Sequence, residues 1–117
     1  MESILTSIKK LLGPAETYDY FDADIIIHIN SVFADLALLG VGPSEGFSIE
    51  DKEATWDEFF DGFPKPTLLN NVKTYMYLKV KLVFDPPSNS SVLKSYEEMI
   101  KKLEWKLNVT VDPGPDA

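Results

Sequence analysis

A chain of 117 residues with 44% hydrophobic and 26% charged side chains suits one globular domain with its own core, not a disordered polymer. It has no cysteine, which excludes disulfides, thiolate catalysis and thiolate metal sites. A net charge of −8 disfavours any partner held by phosphate neutralisation, because that mode needs clustered Lys and Arg.

The chain opens MESILTSIKKLLG, with no basic stretch ahead of its apolar residues and with Lys9 and Lys10 interrupting them. No apolar run approaches the ~20 residues that span a bilayer, so neither a secretory signal nor a membrane anchor is expected. The sequons Asn89-Ser90-Ser91 and Asn108-Val109-Thr110 then read as chance matches. A first helix is predicted over about Glu2 to Leu12. Ile4, Ile8, Leu11 and Leu12 are its stripe, and Gly13-Pro14 is its stop.

A second helix is predicted over about Ala23 to Leu39, with Asp22 as N-cap and Phe21 stapled to Ile26. Ile25, Ile29, Val32, Phe33 and Leu36 form one face, and Gly40 suits the left-handed position after the helix. From Val41 to Ala54 the sequence VGPSEGFSIEDKEA is loop-like. Phe47-Ser48-Ile49 has the pattern of a very short strand, at most one arm of a short hairpin. Loops of this length are often functional. Thr55-Trp56-Asp57-Glu58 matches a capping box and opens a short third helix to Phe60.

The fourth helix lies within Leu68 to Pro87 and is expected to be central. Leu69, Val72, Met76, Val80 and Val83 recur at 3.6 residues, with Tyr75 and Leu82 beside them, until Asp85-Pro86-Pro87 ends it. The fifth is predicted over about Val92 to Leu107, on the stripe Val92, Tyr96, Met99, Ile100, Leu103 and Leu107. The expected fold is all-α, a small bundle of four to five helices with a long loop after the second. Residues 1–109 form one domain and 110–117 an extended tail, mobile from Trp105 onward in the free protein.

Few residues suggest chemistry. His28 has no second His or Cys to complete a zinc site and reads as a partly buried structural side chain. Glu50, Asp51, Glu53, Asp57, Glu58 and Asp61 are acidic, but their spacing does not match a calcium loop. No cofactor, metal or catalytic residue is expected. The lysine pairs Lys9–Lys10 and Lys101–Lys102 read as solvated helix faces, the alternative being a local docking patch. Trp56 with Phe59 and Phe60 reads as an anchor of the long loop. Trp105, off the main stripe of the fifth helix, is either core or an interface anchor, since Trp is enriched at binding hot spots.

The strings GVGPSEGFSIEDKEATW, KTYMYLKVKLVFDPP and LEWKLN resemble the small head–tail connector (adaptor) proteins of tailed bacteriophages and prophages, over roughly Glu2 to Val109. Phe84-Asp85-Pro86-Pro87 is the most distinctive piece. The resemblance implies a structural α-helical protein, not an enzyme, that forms a homo-oligomeric ring, typically twelvefold. The ring sits under the portal protein of the capsid and joins it to a tail-completion (stopper) protein. DNA passes through its lumen without specific binding. The implied location is the virion's head–tail interface, and the host cytoplasm during assembly. The C-terminal segment would contact the portal or a neighbouring subunit, through Trp105, Lys106, Leu107, Asn108, Val109 and Val111. The early loop would make ring or tail-side contacts, through Ser44, Glu45, Phe47 and Ile49. The competing class is a small helical regulatory or DNA-binding protein of a mobile element. Such a protein needs a basic recognition helix, whereas the fifth helix mixes Lys94, Lys101, Lys102 and Lys106 with Glu97, Glu98 and Glu104.

Overall fold

The periodicities resolve into five helices in the computed structural model, which describes residues 2–13, 19–62 and 64–111. They are α1 (Ile4–Leu12), α2 (Asp22–Leu38), α3 (Trp56–Phe60), α4 (Pro66–Phe84) and α5 (Ser90–Val111). Among the described residues no strand forms, and Ser3 and Thr55 make an isolated antiparallel bridge. The chain is thus all-α, as expected.

Helix α4 is central, because α1, α2 and α5 all pack against it. Val72, Tyr75, Met76, Leu78 and Val80 are buried along it. Those positions cover more than one side of a 3.6-residue helix, which a single stripe does not describe. Val83, expected on the stripe, is 61% exposed. It opens onto a hollow between the start of α2 and the end of α4, beside Phe21 and Phe84. Helix α4 stops as its sequence requires, with Asp85 outside helical angles at ψ 70° ahead of two prolines. Asn89 then caps α5, its side-chain oxygen accepting from the amides of Ser91 (2.8 Å) and Val92 (3.2 Å). The first sequon asparagine therefore has a structural use.

Helix α1 buries Ile4, Leu5 and Ile8, while Leu11 turns out at 46% exposure. Two further expectations fail at the α1–α2 contact. Asp22 is the first residue of α2 and not its cap, the cap position being held by Phe21 without a side-chain hydrogen bond. Lys9 is not solvated but buried, its ammonium 2.8 Å from Asp22 Oδ1 and 3.7 Å from Asp19 Oδ1. The Asp22 contact is a close ion pair without a well-angled hydrogen bond. The charge holds Asp22 across the helix interface, so it does not turn back onto its own helix. Phe21 likewise meets Tyr20 and Phe84 edge-on, at centroid distances of 5.0 and 5.5 Å.

The end of α2 follows its sequence. Gly40 adopts φ +84°, its amide donates to Ala37 O (3.0 Å), and Val41 N donates to Leu36 O (2.9 Å). This pair of bonds is a Schellman closure, and Leu36 and Val41 are both buried beside it. Helix α5 buries Ile100, Leu103 and Leu107, but Val92 and Met99 of the expected stripe are 40% and 44% exposed. It continues through Thr110 to Val111, so the boundary expected after Val109 falls inside a helix. The prolines and glycine expected to end it lie at 113–115, outside the described residues.

Candidate functional site

Two surfaces carry the residues singled out above, the loop with α3 and the distal half of α5. The loop has no regular structure, yet it is tied at several points. Asn30 on α2 binds both backbone groups of Ile49, its Nδ2 donating to Ile49 O (3.0 Å) and its Oδ1 accepting from Ile49 N (2.8 Å). One side-chain amide replaces a neighbouring strand there, which is why the strand expected at Phe47–Ile49 does not form. Ile49 itself is 3% exposed and belongs to the core.

Aromatic packing holds the rest. Phe47 lies 5.1 Å from Phe33 and 5.4 Å from Phe59, and Phe33 and Phe59 are 4.8 Å apart. Trp56 is fully buried and donates from Nε1 to Ser7 Oγ (2.8 Å), which in turn donates to Ile4 O (2.9 Å). No buried donor is left unmatched along that chain, so the indole binds α3 to α1 at no polar cost. The anchoring role expected of Trp56 and Phe59 is therefore what the structure shows. Glu58 accepts from Thr55 N (3.3 Å) and Thr55 Oγ1 (3.2 Å), fixing the start of α3.

Between loop and α3 lies a hollow of about 700 Å³. Phe47, Phe59 and Phe60 form its floor, Phe59 being the most buried of the three, and exposed Glu45, Glu58 and Asp61 stand around it. Gly42 sits at φ +90° against the floor, where a Cβ would collide with the Phe59 ring. Of the four loop candidates, Ser44 and Glu45 are exposed and hydrogen-bonded to each other (3.3 Å), Phe47 is half-buried, and Ile49 is inside. Only Glu45 and Phe47 of the four line the hollow, where Gly42, Phe59, Phe60 and Asp61 join them. A glycine facing a downstream run of phenylalanines was the only signal in the sequence, and it fixes no pairing.

The distal residues of α5 divide by face. Leu107 is fully buried, whereas Trp105 is 68% and Val109 37% exposed. Asn108 Nδ2 donates to Leu39 O (3.3 Å), tying the helix end to the end of α2. Lys106 is exposed, and the Val111 side chain lies outside the described residues. The six candidates therefore do not form one patch. A polar relay supports this end from within. Lys79 pairs with Asp35 (2.6 Å) and donates to Tyr75 Oη (3.3 Å), and Tyr75 Oη donates to Glu104 Oε2 (2.9 Å). Burial, then the Glu104 carboxylate, pushes the Tyr75 phenol far above its ordinary value, so it remains a donor.

His28 is half-buried and lines the hollow at the start of α2 with Asp24 and Asp85. Among the described residues, no three His, Cys, Asp or Glu side chains cluster to hold a metal ion, and no helix is long and apolar enough to cross a membrane. The comparison that decides the family is a match of residues 4–114 to the model described as phage connector protein. The chain belongs to the phage connector family. That membership supports a head–tail connector role. No curated protein and no solved structure matches the chain.

Proposed function

We propose that the connector assembles as a ring, twelvefold, beneath the portal vertex, and links the portal to a tail-completion protein while DNA passes through its lumen. One observation carries this reading beyond family membership. Among the described residues, the packed helices leave Trp105 68% exposed on α5, and a hollow lined by Phe47, Phe60 and three carboxylates open beside α3. An exposed Trp is the side chain most enriched at binding hot spots. The charge of −8 also suits a channel along which DNA slides without sticking.

Electron microscopy of the protein mixed with its cognate portal tests the reading directly. The expected result is a ring of density beneath the portal. A connector that leaves portals bare, or that retards DNA in a gel-shift assay, would return the choice to the regulatory alternative. Truncation after Leu107 sharpens the test. It removes the Asn108–Leu39 tie and everything beyond it but keeps the buried Leu107. The truncated chain should fold yet dock poorly, giving capsids that package DNA and then leak it or fail to join tails. Normal infectious yield would show that the segment after Leu107 is dispensable.

A further inference from the structure

We propose that the hollow between the loop and α3 receives the Trp105 edge of α5 from a second copy of the chain. This contact would be the subunit–subunit joint of the ring, and the inference rests on the ring reading above.

The two surfaces are complementary in shape and charge. The hollow offers about 700 Å³ over Phe47, Phe59 and Phe60, with carboxylates at Glu45, Glu58 and Asp61 and no lysine among its lining residues. None of those carboxylates forms an ion pair with a lysine of the described residues. On α5, the helical period of 100° places Lys94, Lys101, Lys102, Trp105 and Val109 on one outward stripe, with Glu98 its only acid. Lys101 and Lys102 are exposed and pair with no carboxylate among the described residues. An indole flanked by ammonium groups fits an aromatic floor ringed by carboxylates. The ring buries about 150–250 Å² of its own surface, and the lysine stems add apolar cover while their heads reach the acids.

The occupant is another copy and not the chain's own helix, because Trp105 is 68% exposed where it stands. Hollow against hollow opposes like charges, and so does edge against edge, so a dimer through either surface alone is disfavoured. Hollow against edge made head to tail, from one copy to the next, is a heterologous contact, the type that closes into a ring when its rotation divides a circle.

Charge reversal tests the joint in the full chain assembled on its cognate portal. Lys101→Glu with Lys102→Glu should cut ring assembly at least about tenfold, and Glu45→Lys with Asp61→Lys should do the same. The fourfold variant carrying both pairs should recover most of the yield. Trp105→Ala, which touches no charge, should lose at least about tenfold. Circular dichroism of each variant checks folding. If wild-type rings form but folded Trp105→Ala assembles as well as wild type, or the fourfold variant gives no recovery, this joint is wrong and the ring reading stands. If the wild-type chain forms no ring on portals, both fall.

Discussion

The loop from Val41 to Ala54 and the distal half of α5 exchange the characters their sequences suggest. The loop lacks regular structure, yet it is fixed by Val41, Ile49, Trp56 and Phe59, all at most 3% exposed, and by the Asn30 clamp. The distal half of α5 is a regular helix held along one side, through Leu103 and Leu107, with Trp105 and Val109 facing out. Backbone regularity and tertiary anchoring are thus separate properties. Anchoring depends on which side chains are buried and which polar groups are matched. The irregular segment supplies a rigid hollow, and the regular one supplies an accessible edge.

Helix α4 packs against α1, α2 and α5, so the largest effect should come from there. Val80→Asp puts an unpaired charge at a fully buried position on the central helix. It should cost at least about 4 kcal/mol and loosen loop and α5 together. Chemical denaturation that matches wild type would show that α4 is not the central helix. Leu107→Ala tests the held side of α5 alone. Truncating a fully buried leucine should cost about 3 kcal/mol. A loss below about 1 kcal/mol would mean that the distal helix is not anchored through this residue.

On the loop side, Asn30→Ala removes both partners of the Ile49 backbone and leaves a buried N–H and C=O unmatched. About 2 kcal/mol is expected, with faster amide exchange confined to the loop. Unchanged exchange there would show that aromatic packing alone fixes the segment.

These effects also mark how far the sequence could be read. Local signals transferred well. The Gly40 terminator, the Thr55–Glu58 cap and the proline stop after Phe84 each depend on residues within a few positions of one another. Signals that depend on distant partners did not. Nothing near Lys9 announces that Asp22 will bury it, and nothing near Phe47 announces that Asn30 will take the place of a neighbouring strand. Val83 and Met99 keep the helical period but face out, because periodicity gives a face and not what covers it. The candidate interface shows the same split. Trp105 could be identified from sequence as off the main stripe, whereas the hollow that suits it is assembled from residues 42–61 and has no contiguous motif.

A smaller, pH-dependent effect belongs to the loop side as well. Glu2 pairs with Lys73 (3.0 Å) and Lys10 (3.4 Å), and its backbone oxygen accepts from Trp56 N (3.4 Å) at the start of α3. Burial would raise its carboxyl, but the hydrogen bonds and charges of Lys73 and then Lys10 outweigh that and hold it below the ordinary 4.5. A depressed carboxyl contributes stability that is present above pH 4.5 and lost as the pH falls through the folded-state value. Because Glu2 is 36% exposed, solvent screening limits the effect to about 0.5 kcal/mol. Melting curves of wild type and Glu2→Gln should differ slightly at neutral pH and converge in acid. A gap that widens on acidification would reverse the assignment.

The smallest expected effect on stability is Trp105→Ala. Its side chain is mostly in water, and the same helix is held through Leu107 on the opposite face. Removing it should change unfolding by no more than about 0.5 kcal/mol, as for a surface residue with no special role in the fold. A folded chain gains little from keeping a large indole in solvent, where it adds an apolar liability. A near-zero cost in the free protein beside a large loss on assembly would therefore assign Trp105 to a contact made only in the complex. If the free variant instead unfolds about 2 kcal/mol more easily, the indole is packing against its own chain. The edge of α5 would then be structural like the loop, and the contrast between the two regions would disappear.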